Sequence, residues 1–226
     1  MKISCAWLET PIELDFVSPI VLFIENPKEY YKIVNEFVLA TSGVTSEFTF
    51  WNGSEKVIAE KEIELLTDIF TFKLTDKKII SLLNKRLFNS FNVGKLNFEF
   101  NKVSAMCEKF LSVLCETEAF ALEIDEVTLE SLLKVVNIRP EENYETLLEK
   151  IICYLNILIE LKAIKCVILV GLKNVLSDDE LHLLYRHCSL HKLSLLLIEG
   201  SKTRAILNEE RAIIITEDLC EIVENF

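Results

Sequence analysis

The sequence comprises 226 residues with 36 acidic and 24 basic side chains, a formal net charge of −12 with the three histidines neutral, and half of its residues are hydrophobic. That apolar fraction is enough to bury a core, which excludes a disordered or collagen-like chain, and at about 150 residues per domain the length fits one large domain or two small ones. Five glycines and four prolines are too few for an all-β sandwich that turns roughly every ten residues, so helices are expected to dominate.

The first sixty residues mix short extended pieces, Lys2 to Leu8 and Ile20 to Ile24, with a helix opened by Asn26-Pro27. Proline in a first helical turn costs nothing, because its missing N–H would be unpaired there anyway. A hydrophobic strand is expected at Glu47 to Trp51, closed by the turn signal Asn52-Gly53. From about Glu60 the pattern becomes helical. Ile80, Leu83, Leu87 and Phe91 share one face of a first segment, and Val103, Met106, Phe110 and Val113 share one face of a second. These predict two long amphipathic helices joined near Asn92-Val93-Gly94, then a third over Val127 to Val136, ending before Asn137 and Pro140.

The α/β pattern then returns with a helix from about Tyr144 to Leu161, a strand Cys166 to Val170, a helix near Asp178 to His191, and strands Leu193 to Ile198 and Ala212 to Thr216. Ser177 followed three residues later by Glu180 predicts a capping box on the middle helix. Strand, helix and strand in this spacing make a parallel crossover unit. The fold class is therefore α/β: a discontinuous head domain, 1–60 and 138–226, interrupted by a helical domain, 61–137.

The longest apolar run, Ile151 to Ile159, is too short for the roughly 20 residues that span a bilayer. The N-terminus reaches Glu9 too early to form a secretory apolar segment, so a cytoplasmic protein without a membrane partner is expected. The seven cysteines are scattered, mostly within apolar runs, and no pair has the C-x-x-C spacing of zinc or redox sites, so buried free thiols are expected.

Nucleotide chemistry would belong at the carboxyl ends of parallel strands, but its signals fail. The only Gly-Lys, Gly94-Lys95, has Asn89 where a phosphate loop needs its first glycine and Leu96 where it needs a hydroxyl, and the strand Cys166 to Val170 runs into Gly171 without a magnesium-binding aspartate. His187 and His191 share a helical face, which leaves a metal site open, but they lack the glutamate of an H-E-x-x-H zinc motif, and a solvated or helix-terminal pair is the expected reading. No serine sits in a nucleophile elbow, and no catalytic residue is assigned.

Charge is more informative. Between Phe70 and Phe110 stand Lys73, Lys77, Lys78, Lys85, Arg86, Lys95, Lys102 and Lys109 against Asp76, Glu99 and Glu108, a local balance of +5 that leaves −17 for the rest. Lys78 and Lys85, and again Lys95, Lys102 and Lys109, recur every seven residues, nearly two helical turns, so each set forms a stripe. Such stripes suit sequence-independent contact with phosphates, or else they are solvated helix faces. From Leu111 to Lys150 ten acids oppose three bases. Within that block Glu123-Ile124-Asp125-Glu126 offers closely spaced carboxylates for a hard cation such as calcium. The plainer alternative is that Asp125 caps the next helix while the glutamates face water.

The strings Leu8-Glu9-Thr10-Pro11-Ile12-Glu13-Leu14, Ile24-Glu25-Asn26, Leu66-Thr67-Asp68-Ile69, Leu122-Glu123-Ile124-Asp125 leading into Leu132-Leu133-Lys134, and the strand before Leu176-Ser177-Asp178-Asp179-Glu180 together resemble, in order and spacing, the CRISPR-associated accessory adaptation protein family of type II-A systems. The resemblance covers essentially the whole chain. It implies a head like a P-loop ATPase without its nucleotide motifs, and an inserted, extended helical domain. It further implies a homotetrameric ring that binds calcium, threads onto double-stranded DNA ends through a lysine-lined hole and assists spacer acquisition alongside other CRISPR adaptation proteins and the effector nuclease. Carried onto this sequence, the calcium ligands align best at Glu123 and Asp125, with Glu126 and Glu130 beside them. The DNA contacts expected from the stripes are Lys78, Lys85, Arg86, Lys95, Lys102 and Lys109. Two rival functions are a nuclease whose Glu123, Asp125 and Glu126 hold magnesium or manganese, and an adaptor whose acidic surface docks basic proteins.

Overall fold

The computed structural model describes residues 1–6, 8–93, 96–201 and 205–225. The chain divides into two compact units, Met1–Lys73 with Asn143–Phe226, and Leu74–Glu142.

The first unit opens with β1 (Lys2–Ser4), β2 (Ile12–Glu13), β3 (Ile20–Ile24), α1 (Pro27–Thr41), β4 (Thr49–Asn52), β5 (Glu55–Lys56), α2 (Ala59–Glu62) and β6 (Ile63–Leu66). Asn26 makes α1 start where it does: its Oδ1 accepts from the N–H groups of Lys28 at 3.0 Å and Glu29 at 3.3 Å. The turn at Asn52-Gly53 joins β4 to β5, and Gly53 takes the positive φ of 61° that favours glycine. β1, β2, β4 and β5 form a small antiparallel sheet in the order β2-β1-β4-β5. The helical periodicity expected from about Glu60 begins later, because Ile63–Leu66 is a strand of the main sheet. A stretch of only four residues, Ile-Glu-Leu-Leu, does not distinguish the two periods, and pairing with another strand decides it.

The second unit carries α3 (Lys77–Val93), α4 (Asn97–Cys115) and α5 (Leu129–Val136). Asp76 accepts from the Lys78 N–H at 2.8 Å at the start of α3, and Phe91 meets Phe100 edge to face, 5.4 Å between centroids. Ile80, Leu83, Leu87 and Phe91 are half-buried, as their shared face predicts. The matching face of α4 is not buried: Met106 is 73% and Phe110 67% exposed, Val103 and Val113 are exposed as well, and α4 buries none of its residues. Thr128, not Asp125, caps α5, in a reciprocal pair with Ser131. Asn137 ends the helix in the left-handed conformation.

The first unit resumes with α6 (Leu147–Lys162), β7 (Cys166–Val170), α7 (Asp178–Leu190), β8 (Ser194–Glu199), β9 (Arg211–Ile215) and β10 (Glu221–Asn225). The main sheet runs β10-β9-β3-β8-β7-β6, parallel except for antiparallel β10 at its edge. β3 lies between β8 and β9, with Ile20 opposite both Leu196 and Arg211. Every residue of β3, β7 and β8 is buried, as strands covered on both faces must be, and their near-continuous aliphatic sequences follow from that. One core joins the two sheets: Ile3, Ile12 and Phe50 of the small sheet, with Phe48 just before β4, pack with Ile20, Leu22, Ile168 and Leu196 and with Ile33 and Phe37 of α1. Phe37 stacks on Phe48 at 4.3 Å.

Candidate nucleic-acid interface

The carboxyl ends of the parallel strands are where an α/β sheet ordinarily binds nucleotides. Here β3 passes into α1 through Glu25-Asn26-Pro27, with no glycine to bring backbone close to a phosphate. The amides at the start of α1 that would face an anion are already occupied by Asn26 Oδ1, and Asn26 Nδ2 donates to the Glu217 carbonyl at 3.1 Å. β7 runs into Gly171 and a short 3-10 turn, Leu172–Asn174.

Beyond these ends the buried polar groups satisfy one another. Glu199, the last residue of β8, accepts from the Lys173 N–H at 2.8 Å and from Asn174 Nδ2 at 3.2 Å, and burial pushes its carboxyl above the ordinary value. Lys173, 2% exposed, donates to both oxygens of Glu210 at 2.7 Å. The Tyr185 hydroxyl donates to the same carboxylate, and burial, then Glu210, push that phenol upward. A charge this deep is tolerable only when paired and hydrogen-bonded. Nothing in the local pattern around Lys173 or Glu210 marks this pairing, which joins residues 37 positions apart.

The basic residues expected to contact DNA lie on the two long helices of the second unit. Lys78, Lys85 and Arg86 are exposed on α3, and Lys102 and Lys109 are exposed on α4. Lys78 and Lys85 share one side of α3, and Lys102 and Lys109 one side of α4, since seven residues complete nearly two turns. Lys102 lies 4.0 Å from the centre of the Phe98 ring and 3.6 Å from Glu99. Lys95 lies outside the described residues.

The acidic positions follow α4. Glu123, Asp125 and Glu126 are exposed in irregular chain between α4 and α5, and Glu130 is exposed in the first turn of α5. The end of this segment is tied back to α4: Glu108 Oε1 accepts from the Val127 N–H at 3.4 Å, and Ser104 donates to the Val127 carbonyl at 3.3 Å. Glu130 accepts from Lys134 at 2.8 Å, which holds its carboxyl below the usual range. Among the described residues no three His, Cys, Asp or Glu side chains gather as metal ligands.

Sequence reasoning missed a groove of about 870 Å³ between α3 and α5, lined by Lys77, Ile80, Asn84, Lys85, Phe88 and Leu133 among others. The amphipathic patterns of α3 and α5 are the signals that point to it. The seven cysteines are free thiols, Cys166 and Cys188 buried, and burial pushes the Cys188 thiol up to about 12. Among the described residues no helix is long and apolar enough to cross a membrane.

The family described as "CRISPR-associated protein (Cas_Csn2)" matches residues 43–219, more than three quarters of the chain. The chain belongs to the CRISPR-associated Csn2 family. Curated Csn2 relatives agree in extent. The CRISPR-associated protein Csn2 of Streptococcus agalactiae is 26% identical over 206 residues, 88% of this chain and 89% of the relative. That of Enterococcus faecalis is 21% identical over 209 residues, 88% and 90% of the two chains. The resemblance drawn from short strings along the sequence is thus borne out at the level of family. The Csn2 match spans both the acidic segment and the two long helices that carry the lysine stripes.

Proposed function

We propose that this Csn2-family protein is a non-catalytic, calcium-stabilised ring that binds double-stranded DNA ends without sequence specificity and assists spacer acquisition in CRISPR adaptation. The observation that carries this reading is the pair of exposed lysine stripes, Lys78 with Lys85 and Lys102 with Lys109, in a chain of a CRISPR-associated family. Lysines arrayed along a helix, without groups placed to read base edges, neutralise phosphates and release counterions, which yields affinity with little base information. An acidic chain needs its few bases concentrated to bind DNA, and assembly of several copies around a hole multiplies each stripe. The exposed apolar face of α4 supports self-association, since Val103, Met106, Phe110 and Val113 follow the alternating three- and four-residue spacing of a helix-pairing seam.

The parallel order β9-β3-β8-β7-β6, with the amides at the start of α1 occupied by Asn26, supports a P-loop-ATPase-like head that has lost nucleotide binding and carries an inserted helical domain. Glu123, Asp125, Glu126 and Glu130 supply the hard oxygen donors calcium prefers, but in a single chain they do not converge, and calcium takes about six to eight oxygens. The ion therefore belongs to the assembled state, where ligands from more than one copy or from main-chain carbonyls complete the shell. Other CRISPR adaptation proteins and the effector nuclease are the proposed partners in the cytoplasm, and the acidic exposed segment favours docking of basic surfaces as the second reading.

A gel-shift comparison of linear and covalently closed circular duplexes of one sequence, with calcium and with chelator, tests the proposal. Preference for the linear form in calcium, weakened and less salt-dependent in Lys102→Glu/Lys109→Glu, is expected. Equal binding to both forms overturns threading over ends, and absence of binding to either, with partner proteins still captured, favours the adaptor.

A further inference from the structure

His187 lies in the last turn of α7 and His191 is its C-cap. Their ring centroids are 4.6 Å apart and the planes are inclined by 43°. Nε2 of His187 is closed to solvent and has no hydrogen-bond partner, an arrangement that native interiors normally avoid. His191 is exposed at the helix end.

We propose that His187 and His191 are a chelating pair for a divalent transition-metal ion of the zinc, nickel and copper class. Two imidazoles one helical turn apart are the arrangement by which a helix grips zinc. With metal–nitrogen bonds of about 2.1 Å and ligand angles between about 90° and 110°, the ring centroids of two bound imidazoles stand about 4.5–5.2 Å apart. The observed centroid separation falls in that interval. An ion bound by both rings gives the His187 nitrogen the partner it lacks once a side-chain rotation opens that nitrogen, and the exposed His191 is the side from which it enters.

No third His, Cys, Asp or Glu completes a group with them among the described residues. The remaining coordination positions are therefore left to water or to a ligand from another molecule, the open arrangement of a reactive or bridging site and not of a closed structural one. Nitrogen donors also separate this pair from the calcium proposal, which requires oxygen ligands. The third histidine, His182, is engaged by Glu209 at 2.5 Å from Nδ1 to carboxylate and serves as the control.

Calorimetric titration of the full chain with Ni²⁺, in chelator-treated buffer containing calcium, tests the pair. One equivalent per chain in the micromolar range is expected, with binding roughly tenfold weaker or more in His191→Gln and unchanged in His182→Gln. His191 is exposed, so its replacement leaves the fold intact, as circular dichroism verifies, and the seven cysteines contribute equally to all three proteins. Repeating the titration with Cu²⁺ gives tighter binding than nickel, in the order these ions follow at nitrogen sites. Absence of saturable nickel binding overturns the proposal, and so does equal affinity in His191→Gln.

Discussion

Glu62 accepts from the Lys165 ammonium and from the Ile58 N–H at 3.2 Å. The Lys165 bond first, then the backbone bond, hold its carboxyl below the ordinary 4.5. A carboxyl whose folded value is depressed stabilises the fold above its unfolded value and loses that contribution as pH falls through the folded one. Glu62→Gln should therefore be less stable than the parent at neutral pH, with the gap closing below about pH 4.5 and narrowing in high salt, because Lys165 is half exposed. Urea unfolding at a series of pH values reads both effects, and a gap independent of pH would exclude this pair as its source. At this scale the lysine stripes were legible because a seven-residue spacing is a property of the string itself. The Lys173–Glu210 and Glu64–Lys162 contacts were not, since they depend on which strands become neighbours.

Helix α7 shows how far local chemistry reaches at the scale of an element. Ser177 and Glu180 were readable as a capping box, and the structure has the Glu180 N–H donating to Ser177 Oγ at 3.3 Å and the Ser177 N–H donating to the Glu180 carboxylate at 2.8 Å. Ser177→Ala should cost about 1 kcal/mol of unfolding free energy, and Ser177→Asp, which keeps an acceptor, should recover most of it in the same urea titration. The start of α5 is the counterexample. Asp125 is a good capping residue, but Thr128 with Ser131 completes both bonds, and an acceptor three residues too early cannot reach the same amides. β6 and β10 were missed for a related reason. Each is a short run whose pattern is indifferent between structures, and each acquires its conformation by pairing, β6 with β7 and β10 with β9.

For the molecule as a whole, the α/β character was legible from the aliphatic strands Ile20–Ile24 and Cys166–Val170, which occur where expected. The apolar face of α4 carried the opposite lesson. Its periodicity was visible, but periodicity shows only that a face is apolar, not that the same chain covers it. If copies of the chain cover it, Met106→Glu together with Phe110→Glu should shift the protein to a smaller species in light scattering, with an unchanged circular dichroism spectrum, because both side chains are exposed within one chain. An unchanged mass would place the contact between copies elsewhere.

The strand order of the main sheet also bears on how the chain is made. β3, wholly apolar and buried on both faces, pairs only with β8 and β9, and about 170 residues separate Ile24 from Ser194. At roughly 5–20 residues per second, the ribosome extrudes β3 about 10–35 s before either partner exists. Throughout that interval five consecutive aliphatic and aromatic residues have no strand to pair with, so the nascent chain depends on α1 and the small sheet, whose remaining strands follow β3 within the next few tens of residues, to shield the segment. Completion of the sheet is thereby timed by about the last seventh of translation, and a chain truncated before β8 is left with its central strand unpaired.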